Sequence, residues 1–207
     1  MIKLFWKALG SSRVYRAFVD VVGAEAFRKR LAADFVRAKS GDRVLDIGCG
    51  PADWIEMLPG VEYVGLDFNE DYIRAAKEKY GDRGSFEVAS VGPELLERYR
   101  DFDLSLAMGV LHHLNNEEAR SLLTLAAMAL KPGGRFVSLD GVVSSDQSEW
   151  ARKMVLRDRG RFVRRTAEYE QLAKEAFGTV KCRVLHGQLR IPYTHLVMEC
   201  SDPLVLG

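Results

Sequence analysis

The stretch VLDIGCGPAD, residues 44–53, decides how the rest of the chain is read. Val44, Leu45 and Ile47 make an apolar run around a single acid, Asp46, and the run stops at Gly48-Cys49-Gly50-Pro51. A short apolar run halted by a glycine turn is the pattern of a strand buried in a parallel sheet. Gly48 and Gly50 let the backbone of that turn approach a ligand without a side chain in the way. In open parallel sheets ligands sit beyond the carboxyl ends of the strands, where the strand order reverses. A lone Gly-x-Gly is common in tight turns. Asp67 closes the next strand about twenty residues on, where a carboxylate can accept both hydroxyls of a ribose. Together they point to an adenosine ligand.

Working outward, strands and helices alternate. Residues 63–66 read as a strand, and Asn69 caps a helix whose apolar face carries Tyr72, Ile73, Ala76 and Tyr80. Residues 86–89 are a third strand, followed by a helix beginning near Pro93. Residues 102–108 are a near-continuous apolar fourth strand, and 117–130 a helix closed by Lys131-Pro132-Gly133-Gly134. Residues 136–139 are a fifth strand. After a helix capped near Thr166, residues 180–185 and 194–200 are strands joined by so short a loop that they must be antiparallel. Before all of these, the first forty residues read as helix. Val14, Phe18, Val21 and Val22 recur at helical spacing, as do Phe27, Leu31, Phe35 and Val36, with Gly23 between the two pieces.

The fold class is therefore α/β: a doubly wound, seven-stranded, mostly parallel Rossmann-like sheet ending in an antiparallel hairpin, with an N-terminal helical lid. A single domain is expected over 1–207, with a helical extension at 1–40 and a cap segment at 141–178.

Composition narrows the function. Apolar residues at 47% and charged residues at 29% describe an ordinary globular chain. Thirty Lys and Arg against 29 Asp and Glu leave no bulk charge to attract nucleic acid, so such binding would need a local patch. No apolar run approaches the roughly 20 residues of a membrane span. The start, Met1 to Gly10, is too short in its apolar part for a secretory signal, and a cytoplasmic location is expected. Ile2, Phe5, Trp6 and Leu9 beside Lys3, Lys7 and Arg13 allow peripheral membrane contact, or a lid helix. Cys49, Cys182 and Cys200 form neither a metal pattern nor a disulfide framework, which fits a reducing compartment. Cys182 and Cys200 lie in strand-like segments and read as buried free thiols.

Charge decides which adenosine ligand. A dinucleotide site wants a third glycine at position 53 and a pyrophosphate on the helix start. This chain has Asp53 there and Asp46 close by, and two carboxylates repel an anion. A ligand with an ammonium and a sulfonium and no phosphate suits such walls.

At this point the chain resembles the class I S-adenosylmethionine-dependent methyltransferases of the small-molecule, type 11-like kind. VLDIGCGPAD resembles their first motif, YVGLD at 63–67 the second, FDLSLAMGVLHHL at 102–114 the fourth-strand motif, and LKPGGRF at 130–136 the turn before the fifth strand. The resemblance covers roughly residues 40–140. It implies S-adenosylmethionine as cofactor, with S-adenosylhomocysteine as product; no Asp/Glu/His cluster has metal-ligand spacing, so no metal is expected. It implies that Asp46, Gly48, Cys49 and Gly50 hold the methionine end, and that Asp67 holds the ribose. Phe68 and the Ser90-Val91 backbone would border the adenine, with Met108 and Gly109 lining the floor. Two positions depart from the pattern. Ala52 replaces a usual third glycine, and Ser90 stands where an acid often meets the adenine amino group.

On the substrate side, methyl transfer needs an aligned nucleophile and, for a hydroxyl, a base. His112 and His113 directly follow strand four and are the catalytic candidates; the alternative is that they cap or pack the next helix. Asp140 ends strand five and either orients a substrate hydroxyl or satisfies a turn. Arg190 and Tyr193, with His186, surround the last hairpin turn and are candidate substrate contacts; an ordinary polar turn is the alternative. Tyr15 is a further candidate for closing the pocket, and His195, inside a strand, reads as a hydrogen-bonded structural histidine. The basic run Arg152, Lys153, Arg157, Arg159, Arg161, Arg164 and Arg165 either grips an anionic group or is a solvated helix face. Met108-Gly109-Val110-Leu111 lacks the Asn/Asp-Pro-Pro-aromatic tetrad of amino-methylases that act on nucleic acid. What remains is a small-molecule, sugar or lipid-linked acceptor, methylated at oxygen. A non-catalytic, methyltransferase-like partner subunit and an NAD-dependent oxidoreductase are the rivals. Oligomeric state is not legible.

Overall fold

A computed structural model describes residues 23–90, 98–158 and 160–204. The helix read over residues 14–22, the helix near Pro93, and the candidates Tyr15, Val91 and Arg159 lie outside these residues, as do the membrane-contact residues Ile2 to Leu9.

The described elements are α1 (Ala24–Leu31), β1 (Arg43–Ile47), β2 (Glu62–Asp67), α2 (Glu70–Tyr80), β3 (Gly84–Val88) and β4 (Phe102–Met108), then α3 (Asn116–Met128), β5 (Leu130–Val143), α4 (Glu149–Leu156), β6 (Arg164–Arg165), α5 (Thr166–Lys174), β7 (Phe177–His186) and β8 (Thr194–Pro203). The sheet runs β3-β2-β1-β4-β5-β8-β7, and the two-residue β6 pairs with β5 off this path. β1 to β5 pair in parallel along that path, whereas β8 is antiparallel to both β5 and β7. The seven strands of the sequence reading are present, and the eighth is a strand too short to leave a periodic pattern.

From β1 the chain winds outward through β2 to β3, then returns to place β4 on the other side of β1. The strand order therefore reverses between β1 and β4, which is where such sheets open a crevice for ligands. The two faces are covered separately. Leu122, Leu123, Tyr169 and Leu172, from α3 and α5, pack one side, and Phe27, Leu31, Ile73 and Ala76, from α1 and α2, pack the other.

Local chemistry explains the element ends. The Asn69 side chain accepts from the backbone N–H groups of Asp71 and Tyr72, the cap expected for α2. Asn115 and Glu118 close a reciprocal capping box on α3. Tyr72, read as part of the apolar face of α2, is 45% exposed; Ile73, Ala76 and Tyr80 carry the buried stripe. α3 stops at Met128, and Leu130 already pairs with Phe102 in the sheet. Lys131-Pro132-Gly133-Gly134 is thus an irregularity inside β5 and not the end of a helix: the register slips between Phe102 and Leu104, and Gly133 takes φ 79°. The expected cap at 141–178 begins and ends in strand, and its helical part is α4 and α5. Among the described residues no helix is long and apolar enough to cross a membrane.

Candidate active site

The crevice is built first from the β1 turn. The Gly48 and Cys49 N–H groups both donate to the Leu66 carbonyl, at 2.7 and 2.9 Å, which ties the turn to the end of β2. Gly48 sits at φ 77°, and a Cβ there would come within 2.7 Å of Val110, so only glycine fits. Gly50, at φ 55°, faces open space. Ala52 also holds a left-handed backbone, φ 60°, which gives the family's usual glycine at this place a physical reason.

Asp46 is fully buried. Tyr63 Oη donates to its Oδ2, and its Oδ1 has no partner among the described residues. Burial pushes the Asp46 carboxyl from 3.8 up to about 7, against the Tyr63 hydrogen bond and with help from the charge of Asp67. Asp67 accepts from the Gly50 N–H on one oxygen and the Asn69 N–H on the other, each at 2.9 Å. A carboxylate has about four acceptor sites, so both oxygens keep capacity for hydroxyls. Phe68, next in the chain, is 75% exposed. Ser90 follows β3 and is exposed. Cys49 is buried, and burial together with Asp46 and Asp67 holds its thiol protonated.

Asp53 turns outward to Arg28 at 3.8 Å and Lys79 at 3.5 Å. The acids that face the turn are Asp46 and Asp67, not Asp46 and Asp53.

The other wall follows β4. Met108 and Gly109 are half-buried, and beyond them Leu111 and His112 are buried in a short turn. Asp140, at the end of the neighbouring β5, places one oxygen 2.8 Å from His112 Nδ1 and 3.1 Å from its backbone N–H. Asp140 therefore orients His112 rather than standing apart to meet a substrate, and its Oδ2 is unpartnered among the described residues. Burial by itself would lower the His112 pKa, but the hydrogen bond and charge of Asp140 raise it above the ordinary value. Burial raises the Asp140 carboxyl in turn, opposed by His112. With Nδ1 donating to Asp140, Nε2 is left as the accepting nitrogen. The ring's Cε1 lies 3.9 Å from where a Cβ on Gly109 would stand, and its Cδ2 side lies against Gly160. Nε2 sits between these, at the seam of the β4 loop and the segment after α4. His113 is exposed, its ring 4.1 Å from that of His112.

The segment after α4 closes over this histidine. Phe162 N–H donates to the His112 carbonyl at 3.0 Å, and a Cβ on Gly160 would fall 2.9 Å from the same carbonyl. Arg164 is buried, and its guanidinium donates to the carbonyls of Leu111, Leu114 and Phe162 and to Asn116 Oδ1 at 2.7 to 3.1 Å. It is neither a grip for an anion nor part of a solvated face: it pins the β4 loop.

The β7–β8 turn opens at the same rim, because β8 pairs His195 with Gly141 and β7 runs parallel to β5. Tyr193 Oη donates to Asp158 at 2.5 Å and occupies the place of a Cβ on Gly141. The Arg190 side chain lies 3.7 Å from where Gly23 would carry a Cβ. His195 is buried between the rings of Phe27 and Tyr193, and its Nδ1 has no hydrogen-bond partner among the described residues. Tyr63, Asp158 and Gly160 were not singled out in the sequence. Tyr63 stands inside the second motif, and Gly160 interrupts a basic run, the one local mark it leaves.

Comparison with known proteins agrees with this geometry. Residues 44–134 match the family model described as a methyltransferase domain. Over 125 residues the chain is 28% identical to a tRNA (carboxymethyluridine(34)-5-O)-methyltransferase of Arabidopsis thaliana, covering 59% of this chain and 30% of that protein. Over 111 residues it is 34% identical to the 27-O-demethylrifamycin SV methyltransferase of Amycolatopsis mediterranei, covering 50% of this chain and 40% of the relative. The chain thus spans well under half the length of these two relatives. The solved structure of the S-adenosylmethionine-dependent methyltransferase SibL aligns with a TM-score of 0.70 over 93% of this chain and 57% of its own, at 22% identity.

Proposed function

We propose that this chain, a member of the class I S-adenosylmethionine-dependent methyltransferases, moves a methyl group from S-adenosylmethionine to an oxygen of a small-molecule acceptor, a sugar or lipid-linked one included. The cofactor reading is supported by an orphaned buried carboxylate oxygen on Asp46, an open glycine turn at Gly50 and an uncovered aromatic ring at Phe68. Asp46 and the turn at Gly48, Cys49 and Gly50 would hold the methionine end, and the remaining acceptor sites of Asp67 the ribose. Phe68, Ser90 and Val91 would border the adenine, and Met108 with Gly109 the floor. S-adenosylmethionine supplies, when bound, a methyl group on a positively charged sulfur.

The observation that carries the catalytic reading is the 2.8 Å pair of Asp140 and His112 Nδ1 beside Gly109. Asp140 fixes the ring so that Nε2 can take the hydroxyl proton as the oxygen attacks. Gly160 and the backbone of Phe162 pack against His112 beside that nitrogen. His113, Arg190, Tyr193 and Tyr15 complete the acceptor side of this reading. Oxygen is favoured because a histidine base has nothing to do for an acceptor without a proton to lose.

Labelled S-adenosylmethionine incubated with fractionated cell extract tests this. The wild type is expected to label a small-molecule fraction. His112→Ala should bind S-adenosylmethionine normally and lose at least about a hundredfold in rate. Equal labelling by both proteins would remove the histidine base, and no labelling by either would favour a non-catalytic partner subunit.

A further inference from the structure

Two glycines of the sheet are not explained by their own backbone. Gly65 and Gly84 lie in β2 and β3, and neither has the positive φ that calls for glycine. What each lacks is space. A Cβ on Gly65 would come within 3.1 Å of the Tyr63 ring, 3.0 Å of Phe86 and 2.8 Å of Cys49 Sγ. One on Gly84 would fall 3.2 Å from the same tyrosine ring and 2.9 Å from the Tyr63 carbonyl oxygen. Gly84 is the partner of Tyr63 in the β2–β3 ladder, and Gly65 is the partner of Asp46 in the β1–β2 ladder. Alternate residues of a strand share a face, so Tyr63 and Gly65 look the same way. The two glycines leave a lane on that face for the buried Tyr63 ring, whose hydroxyl donates to Asp46 Oδ2.

We propose that Tyr63 is a positioning residue for the cofactor: by holding Asp46 Oδ2 it presents the other oxygen, Oδ1, to the ammonium of S-adenosylmethionine. This rests on the reading of the chain as a methyltransferase. Asp46 is fully buried, and its Oδ1 has no partner among the described residues. A buried carboxylate holds charge only where both oxygens are met. Tyr63 meets one, and the surroundings do not meet the other. The titratable groups that act on this pair are Asp67 from β2, Cys49 from the turn and, beyond them, Asp53. β3 brings Phe86, β4 places Leu106 opposite Asp46, and α2 lays Ile73 and Ala76 over the same cluster. None of these is a cation. An ammonium brings both the missing donors and the missing charge. Burial and the nearby acids keep the Tyr63 hydroxyl protonated, so it remains a donor. Being neutral, it satisfies Oδ2 without competing with the ligand's charge, as a lysine in its place would. Burial carries the Asp46 carboxyl up to about 7, and the hydroxyl works against that rise. Without it the midpoint moves to higher pH. Since the ammonium needs a carboxylate, cofactor affinity should rise with pH up to the midpoint and level off above it.

Calorimetry with S-adenosylhomocysteine, which carries the same ammonium and no methyl to transfer, tests this on the wild type and Tyr63→Phe. The phenyl ring still fills the lane, so the variant loses one hydrogen bond. At about pH 7 it should bind at least about tenfold more weakly, the value of a hydrogen bond to a charged group. The gap should narrow to a few-fold at about pH 8.5, where Asp46 is largely charged in both proteins. Comparing the two at one pH cancels any ionisation of the ligand. The wild type alone should release close to one proton per ligand at about pH 6 and little at about pH 8, read from the binding heats in two buffers of different ionisation enthalpy. That measurement holds even if the variant fails to fold. Equal affinities, a gap of the same size at every pH, or binding without proton release at the lower pH would each overturn the role of Tyr63 and leave the methyltransferase reading standing. Failure of the wild type to take up S-adenosylhomocysteine at any pH would overturn that reading, and this inference with it.

Discussion

Replacing Asp46 by Asn is expected to stabilise the ligand-free protein while weakening its hold on the methyl donor. The Asp46 carboxyl is fully buried, and burial carries its pKa from 3.8 to about 7, offset in part by Tyr63 and increased by Asp67. The unfolded chain keeps the ordinary value. Between the two values the folded state holds a proton that the unfolded chain has released. Stability therefore falls as pH rises from about 4 to about 7 and levels off above. At about 1.4 kcal/mol per pH unit the full loss is about 4 kcal/mol. Asparagine carries no charge and escapes it, but an amide NH2 at the orphaned Oδ1 position finds no acceptor among the described residues, which returns about 1–2 kcal/mol. The variant should thus be about 2–3 kcal/mol more stable than wild type at about pH 8, with most of that gain gone at about pH 5. Urea unfolding of both proteins at the two pH values measures the difference. Calorimetry on the same samples should show weaker binding of S-adenosylmethionine, whose ammonium the carboxylate would meet. Coincident unfolding curves at both pH values would refute the reasoning, as would an asparagine variant less stable than wild type at the higher pH.

Gly48→Ala should cost about 2–4 kcal/mol in urea unfolding, from a left-handed backbone and overpacking against Val110. Adding Val110→Ala should recover the packing part, and a Gly48→Ala protein of wild-type stability would contradict the crowding. Asp140→Asn should lower the His112 pKa in an NMR titration of the ring, because burial then acts without an opposing charge. Since the base must be neutral, the acid limb of turnover should move to lower pH; a pKa that stays or rises would separate the two residues. Arg164→Met, similar in length but without donors, should lose about 2–4 kcal/mol and speed amide exchange around residues 111–116. Unaltered exchange there would mean that the guanidinium does not hold the loop.

The parts of this molecule legible in the sequence were those whose information is local. β4 was read at its observed bounds because its apolar run is nearly continuous, and Asn69 was read as a cap because its chemistry acts within three residues. The parallel path and closing hairpin followed from alternation and loop length. The start of β5 was missed because Lys131-Pro132-Gly133-Gly134 has the composition of a turn, and only a partner strand makes it a bulge. β6 has no pattern of its own, since two residues carry no period. At the site, His112 and Asp140 were each found, but their pairing spans 28 positions and depends on β4 and β5 being neighbours. Arg164 looked like its basic neighbours because burial is not written in a side chain's identity. His195 was read as a hydrogen-bonded structural histidine, and its place between the rings of Phe27 and Tyr193 shows only once the fold brings them beside it.

The central claim, a crevice between β1 and β4 whose acids take a cationic sulfur donor, is tested most directly by calorimetric titration of the wild-type protein with S-adenosylmethionine and, separately, with NAD. One equivalent of S-adenosylmethionine should bind and NAD should give no saturable heat. Saturable binding of NAD with none of S-adenosylmethionine would contradict it.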